Sequence, residues 1–290
     1  MDLRQKLLTT SLIAILILMT ATSYKISQQP MFQSEEPLKR PPIYKAGPKL
    51  KGPVIKVAVI DTGFDHRSTW PTAPMPTATL CSDGSYNFVD NNEDADDPHG
   101  HGTHIAGLIA KYAKDANFCI VALRYYDSKG SDVKNLTNSV LSFRRAVELK
   151  VDFINYSGGG IARSDEECTV VKDALDAGIV VVAAAGNERS DIDDRPYWPA
   201  MCDPRIVIVG NTDKEGEPAE STNYSRWPEP DTTNIEYELG VDVLSTLTHN
   251  QFGFMTGTSQ STATMTGKLV NALAKIRSDK YLNLVNKRAK

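Results

Sequence analysis

A serine, a carboxylate and an amide occupy positions in the sequence that suit nucleophilic catalysis. Ser259 follows Gly257 in a Gly-Thr-Ser turn and precedes a run that can form a helix. Unpaired N–H groups at a helix N-terminus could face a developing oxyanion, although most such turns are simply helix caps. Asp61 precedes a Thr-Gly turn and could orient a histidine, bind a cation or cap the turn. Asn187 follows a glycine and could donate to an oxyanion or be an ordinary turn residue.

Three histidines within six residues, His99, His101 and His104, raise the question of a metal site. Their spacing of i, i+2 and i+5 does not match a helical metal-binding pair such as H-E-x-x-H. The small residues between them indicate instead the start of a helix that packs tightly against a neighbour.

Apolar runs of strand length alternate with amphipathic runs of helical length from residue 54 onward. The candidate strands are 54–60, 86–89, 119–123, 153–156, 179–185 and 206–209. The candidate helices are 105–114, 136–150 and 166–177. Buried strands that alternate with helices predict an α/β fold: a three-layer, doubly wound, mostly parallel sheet with helices on both faces. Active sites in such sheets gather at the carboxyl ends of strands, where Asp61 and Asn187 stand.

The composition excludes several classes of function and divides the chain into three parts. Of the 290 residues 41% are hydrophobic, the net charge is −4 and no long basic block occurs, which argues against a nucleic-acid partner. The four cysteines show no CxxC spacing, so a zinc site is not predicted. We predict a signal peptide or N-terminal anchor at 1–23, a proline-rich linker or short pro-segment at 24–53, and one folded domain at 54–290.

The first residues are typical of an export signal. Arg4 and Lys6 precede an apolar stretch at 7–19, small residues follow, and cleavage is predicted after Ser23. The apolar stretch is short for a membrane span, which needs about 20 residues. We therefore expect an exported protein, secreted or periplasmic, with an uncleaved membrane anchor at 7–21 as the alternative.

Four motifs, taken in chain order, resemble those of the subtilisin-like serine proteases (subtilases): Asp61-Thr62-Gly63, His101-Gly102-Thr103-His104, Ala185-Gly186-Asn187 and Gly257-Thr258-Ser259. The resemblance implies a serine endopeptidase that works through an acyl-enzyme and requires no cofactor. It makes Ser259 the nucleophile, His101 the general base and Asp61 the carboxylate that orients His101. Asn187 and the backbone N–H of Ser259 would stabilise the oxyanion.

The same resemblance implies that a peptide or protein substrate binds as an extra strand in a cleft. The residues that it places there are Ser157, Gly158, Gly159 and Glu188. The family usually has a larger residue where Gly158 stands, so we expect one wall of the cleft to be open. Glu188 could accept a basic side chain at the residue before the cut; alternatively, Tyr197 or Trp198 fills the floor of that pocket.

Two features depart from the family pattern and support other functions. Gln260 and Ala263 replace a common methionine and a common proline, and residues 24–53 are too short for the usual folded pro-domain. The alternative is a catalytically weak or inactive subtilase-fold protein that holds a peptide or partner protein. A third hypothesis is a membrane-tethered processing protease, which requires the N-terminal segment to remain uncleaved.

A dense run of carboxylates spans residues 90–97. Subtilases often bind calcium, which prefers oxygen ligands, so Asp94, Asp96 and Asp97 are candidates for a structural calcium site. The alternative is a solvated acidic loop.

The four cysteines are candidates for two disulfides if the protein is exported, with four buried thiols as the alternative. We favour Cys81–Cys119, because one precedes a candidate strand and the other opens a candidate neighbour of that strand. We also favour Cys168–Cys202, since Cys168 starts a helix and Cys202 lies in the loop that leads to the next strand.

Overall fold

A computed structural model describes residues 48–68 and 76–288; the predicted signal segment and most of the predicted linker lie outside them. The strands are β1 (Ile55–Asp61), β2 (Tyr86–Asn87), β3 (Phe118–Arg124), β4 (Phe153–Tyr156), β5 (Val180–Ala184), β6 (Val207–Thr212), β7 (Glu236–Leu239), β8 (Val243–Thr246) and β9 (Phe252–Met255). The helices are α1 (His101–Tyr112), α2 (Asp132–Glu148), α3 (Asp165–Asp176) and α4 (Thr258–Arg288). None of these described helices is long and apolar enough to cross a membrane.

Seven strands form one parallel sheet in the order β2-β3-β1-β4-β5-β6-β7. Strands β8 and β9 pair antiparallel as a separate hairpin. The register places Asp61 opposite Arg124 at the ends of β1 and β3, and Tyr156 opposite Ala183 near the ends of β4 and β5. The segments that leave β1, β4 and β5 therefore emerge together at one edge of the sheet.

Alternate residues of the central strands pack into two hydrophobic cores, one on each face of the sheet. Val57 and Val59 of β1 pack with apolar residues of α1 and α4. Ala58 and Ile60 pack with apolar residues of α2 and α3 on the opposite face. This arrangement confirms the three-layer α/β fold and explains why the strands read as nearly continuous apolar runs.

The observed elements differ from the predicted ones mainly at helix starts and at the sheet edge. Helix α2 begins at Asp132 rather than residue 136, because the side chain of Ser131 caps the N–H of Lys134. Strand β7 and the β8–β9 hairpin were not predicted. In β7, an edge strand, Glu236 and Glu238 interrupt the apolar pattern on which the prediction relied.

Two disulfides tie loops to the main elements. Cys81–Cys119 joins the loop before β2 to β3, and Cys168–Cys202 joins α3 to the loop before β6. These are the pairs favoured in the sequence analysis, and the described part of the chain has no free cysteine.

Candidate active site

Asp61 and His101 meet at the carboxyl edge of the sheet. Asp61 is the last residue of β1 and His101 the first of α1. Nδ1 of His101 lies 2.7 Å from Oδ1 of Asp61, and the same oxygen accepts the N–H of Thr62 at 2.7 Å. Burial alone would lower the pKa of His101, but the charge and hydrogen bond of Asp61, together with the charge of Asp97, outweigh it and raise the pKa above its usual value of 6.5. The pair is therefore arranged to stabilise an imidazolium.

The buried carboxylate of Asp97 holds the start of α1 in place and thereby positions His101. Its Oδ1 accepts the N–H of Gly100 at 2.8 Å and the hydroxyl of Thr62 at 2.9 Å. Its Oδ2 accepts the N–H and the hydroxyl of Thr103 at 2.8 and 2.7 Å. Asp97 thus satisfies helix N-terminal donors and links them to the turn after Asp61.

The other two histidines of the cluster lie in different surroundings. His99 is exposed, whereas His104 is fully buried on α1 and faces the β8–β9 hairpin. Between His101 and His104, a Cβ at Gly102 would collide with the carbonyl oxygen of Gly63. This contact confirms the tightly packed helix start that the small residues predict.

Ser259 is the second residue of α4, and its hydroxyl contacts the segment that follows β4. Its Oγ donates to the carbonyl oxygen of Ser157 at 3.0 Å, and Oγ of Ser157 donates to the carbonyl oxygen of Ser259 at 3.3 Å. Within residues 48–68 and 76–288, no hydrogen bond joins Ser259 to His101. The hydroxyl of Ser259 must therefore exchange Ser157 for His101 as its acceptor to pass on its proton, and such contacts often tighten only when substrate binds.

A buried polar link supports Ser157 from beneath. Asn155 on β4 is fully buried; its Nδ2 donates to Oγ of Ser157 at 2.9 Å and its Oδ1 accepts the hydroxyl of Thr266 at 2.9 Å. Because Thr266 belongs to α4, this link fixes the start of the substrate segment relative to the helix that carries Ser259.

The side chain of Asn187 is anchored by one of its two polar atoms. Its Oδ1 accepts the N–H of Thr258, the first residue of α4, at 2.9 Å. No hydrogen bond within the described residues uses its Nδ2 group, which is thus available as a donor. As the second residue of the helix, Ser259 also keeps a backbone N–H free of an intrahelical partner. Two donors suited to an oxyanion therefore lie together at the start of α4.

Asn223, which the sequence analysis did not single out, holds the loop that carries Asn187. It is 1% exposed, and its Oδ1 accepts the N–H groups of Glu188 at 3.1 Å and Ser190 at 2.9 Å. Its Nδ2 donates to the carbonyl oxygen of Ala185 at 2.8 Å and to the carboxylate of Glu188 at 2.7 Å. One side chain thus fixes the loop on both sides of Asn187.

Tyr125, also missed from sequence, takes the space beside Gly158. A Cβ at position 158 would collide with the hydroxyl oxygen of Tyr125, which directly follows β3. The ring is buried, and burial raises the pKa of Tyr125. The prediction that Gly158 opens one wall of the cleft is therefore wrong, because a neighbouring phenol fills the place of its missing side chain.

The two aromatic candidates for the pocket floor are placed differently. The ring of Trp198 lies 4.8 Å from the guanidinium of Arg163, so it packs against a neighbouring loop. Tyr197 is buried, and its ring lies against both Gly159 and Gly186. Of the two rings, that of Tyr197 contacts the segments implied to bind substrate, whereas Trp198 contacts Gly160 through its backbone.

The departures from the family pattern after Ser259 pack inside the fold. Gln260 is 2% exposed, with its Nε2 3.8 Å from the sulfur of Met255, and Ala263 is fully buried. The hydroxyl of Thr262 bonds to the carbonyl oxygen of Thr258 at 2.7 Å. This part of α4 therefore satisfies its extra polar groups locally instead of presenting them to the cleft.

The three candidate calcium ligands of the acidic loop contact side chains and backbone groups of the protein. Asp94 and Asp96 form ion pairs with Arg67 at 2.7 and 2.9 Å. Asp97 accepts hydrogen bonds from the start of α1. The second carboxylate oxygen of Asp96, Oδ1, is buried without a partner among the described residues. Across the described ranges, no three His, Cys, Asp or Glu side chains are grouped to share a metal ion. Calcium binding stays a prediction, which calorimetry with and without a chelator tests.

Comparison with known proteins gives a consistent result. A model of the subtilase family matches residues 52–286. The major intracellular serine protease of Bacillus subtilis (strain 168) is 33% identical over 279 residues, covering 88% of this chain and 79% of that protein. Subtilisin DY of Bacillus licheniformis is 30% identical, covering 78% of each chain. The crystal structure of a cold adapted subtilisin-like serine proteinase superposes with a TM-score of 0.65 at 24% identity, covering 85% of this chain and 83% of the other, which supports the fold alone.

Proposed function

Because the chain belongs to the subtilase family and is a serine endopeptidase, we propose that Asp61, His101 and Ser259 are its catalytic triad. The observation that carries the proposal is the 2.7 Å contact between Asp61 and His101 at the end of β1, beside the end of β4, where Ser259 bonds to Ser157. The chemical requirements of a nucleophile, a base and an orienting carboxylate are then met by side chains from three separate elements.

In the proposed reaction, Oγ of Ser259 attacks the scissile carbonyl carbon and its proton passes to Nε2 of His101. Asp61 stabilises the resulting imidazolium, while Nδ2 of Asn187 and the N–H of Ser259 bind the oxyanion. His101 then protonates the leaving amine, which leaves an ester on Ser259. Water attacks this ester with His101 again as the base, and the acid product departs as Ser259 recovers its proton.

Labelling with a fluorophosphonate probe tests the triad, because the probe reacts with an activated serine. We expect the wild-type protein to be labelled and to cleave casein, and Ser259→Ala to lose both properties. A Ser259→Ala protein that cleaved casein as well as the wild type would overturn the assignment.

A second candidate function is peptide or partner binding without efficient catalysis. It is favoured by the hydrogen bond from Ser259 to Ser157, because the hydroxyl donates there and not to His101. A wild-type protein that bound peptides but resisted the probe would support it.

We also propose that the protein is exported, either secreted or periplasmic. The charged and apolar start of the sequence and the two disulfides support this location, since disulfides persist in oxidising compartments. Two relatives, from Bacillus subtilis and Paenibacillus polymyxa, carry names that describe them as intracellular, and N-terminal sequencing distinguishes the two locations. N-terminal sequencing of protein recovered outside the cytoplasm should begin at Tyr24; an intact Met1 would favour the membrane anchor.

A further inference from the structure

We propose that the ring of Tyr197 fills the pocket for the side chain before the scissile bond, so that the enzyme prefers alanine, glycine or serine there. The inference rests on the proposed function, with Ser259 as the nucleophile. It concerns the space that is left for the substrate side chain beside the triad, which the triad itself does not determine.

Two backbone segments flank the nucleophile and define where that side chain must go. On one side Ser157 exchanges hydrogen bonds with Ser259, and on the other Asn187 binds the N–H of Thr258. A peptide whose carbonyl carbon reaches Ser259 therefore directs the side chain before the cut between the segments 157–160 and 185–188.

The ring of Tyr197 spans the gap between these two segments. An ideal Cβ on Gly159 would lie 2.5 Å from Cε1 of Tyr197, and one on Gly186 would lie 2.8 Å from Cε2. Opposite edges of the same ring thus touch the two walls. Both wall positions are glycine; the ring takes the room beside Gly159 and shares the room beside Gly186 with the side chains of Asn223 and Glu188.

Tyr197 is held where it is by the chain that follows it. The N–H and the carbonyl oxygen of Trp198 pair with Gly160 at 2.8 Å each, so the adjacent residue is bound to the first wall. Tyr197 itself is 9% exposed. With the backbone held in this way, the ring could move aside only by leaving its buried position, so a large substrate side chain does not displace it at low cost.

Glu188 does not compensate by attracting a basic side chain. Its carboxylate accepts the Nδ2 group of Asn223 at 2.7 Å and lies close to the Gly186 wall, beside the Tyr197 ring. The ring therefore excludes a lysine side chain by volume just as it excludes a phenylalanine side chain.

Three chromogenic peptide p-nitroanilides that differ only in having Ala, Phe or Lys before the cut test the inference. We expect kcat/KM of the wild type to be greater for Ala than for Phe or Lys by roughly tenfold or more, the discrimination typical of a small pocket. Tyr197→Ala should raise the ratio of kcat/KM for the Phe substrate to kcat/KM for the Ala substrate by roughly 10- to 100-fold, because it empties the pocket. Tyr197→Leu, which removes the ring but keeps apolar volume, should shift this ratio in the same direction. It replaces Tyr197→Ala as the test variant if Tyr197→Ala does not fold.

Matched controls separate the ring from general effects of losing a tyrosine. Tyr197→Phe keeps the ring and should keep the Ala preference, as should Tyr237→Ala, which removes a part-exposed tyrosine from edge strand β7. A wild type that prefers Phe or Lys, or an unchanged ratio in Tyr197→Ala, overturns the inference. If fluorophosphonate labels a wild type that prefers Phe, only this inference falls; if nothing is labelled or hydrolysed, the proposed function falls with it.

Discussion

His104 shows how a single buried side chain can make stability depend on pH. Its Nε2 lies 3.1 Å from the carbonyl oxygen of Val243 and 3.2 Å from that of Gly253, so this nitrogen carries the proton. Its Nδ1 is buried without a partner among the described residues. Burial therefore lowers the pKa of His104 to about 4, since a second proton would leave a charged donor unpaired inside the fold.

We predict that the free energy of unfolding decreases as the pH falls from about 6.5, the usual histidine pKa, towards 4. In this range the unfolded chain binds a proton at His104 that the folded chain does not, and the full loss is on the order of 3 kcal/mol. Chemical unfolding between pH 7 and pH 4 measures it. His104→Gln retains an amide donor for the same carbonyls without titrating, so its curve should be flatter; equal slopes for both proteins would contradict the prediction.

Asn223 should act on catalysis chiefly by positioning Asn187, since it holds the loop on both sides of that residue. We predict that Asn223→Ala lowers kcat by roughly 10- to 100-fold with little change in KM, because the loop carrying the oxyanion donor loses its anchor. In an Asn187→Ala background the same substitution should cost little more, since the donor that it positions is gone. Steady-state kinetics of the four proteins measures this coupling, and additive losses would show that Asn223 has only a structural role.

The proposed triad could be named from sequence, whereas its supporting residues could not. Asp61, His101 and Ser259 each stand in a short motif at a strand end or helix start, so local pattern reveals them. Asn223 lies in a polar loop and meets Glu188 across 35 residues of chain. Tyr125 likewise gains its meaning only when β3 and β4 bring it beside Gly158. Contacts between distant segments carry no signature in one sequence, which is why the prediction of an open wall failed.

At the scale of elements, the packing of α1 on α4 sets the distance between the base and the nucleophile, because His101 begins one helix and Ser259 lies in the first turn of the other. The helices approach closely at Gly267, where a Cβ would lie 2.7 Å from the carbonyl oxygen of Ile109 and 2.8 Å from Cβ of Tyr112. These are backbone and near-backbone atoms, which cannot turn away as a flexible side chain could.

We predict that Gly267→Ala destabilises the protein by about 1–3 kcal/mol, even though alanine favours helix more than glycine does. It should also lower kcat, because separating the helices moves His101 relative to Ser259. Urea unfolding and casein hydrolysis measure the two effects. Gly160→Ala, where a Cβ meets no atom within 4 Å, is the control for stability; equal stability of both variants would show that helix contact at Gly267 is not limiting.

The bounds of a helix or strand were predicted more accurately from sequence when more of its residues are buried. Strand β4 matches its predicted bounds, 153–156, because all four residues are buried and apolar residues dominate it. Helix α1 begins four residues before its predicted start because Asp97, from outside the helix, caps the polar first turn. The sequence pattern reports burial, so it does not show elements whose ends or edges are stabilised by polar contacts.

Over the whole molecule, the two disulfides lie at different distances from the site. Cys119 pairs in register with Lys56 at the amino end of the sheet, opposite the edge that carries Asp61. Cys202 follows Tyr197 by five residues, and the N–H of Met201 bonds to the carbonyl oxygen of Tyr197 at 3.1 Å. Only Cys168–Cys202 therefore holds the turn that places Tyr197 in the cleft.

We predict that replacing either cystine by a serine pair lowers the free energy of unfolding by roughly 3–4 kcal/mol, because the sequence separations of 38 and 34 residues give similar loop-closure entropies. Only the Cys168→Ser/Cys202→Ser protein should also lose discrimination between Ala and Phe before the cut, since its Tyr197 turn is no longer tied to α3. Urea unfolding and p-nitroanilide kinetics at a temperature where both variants remain folded separate the two effects. The same change in the Ala-to-Phe ratio in both variants would mean that the pocket responds to overall stability and not to its local tether.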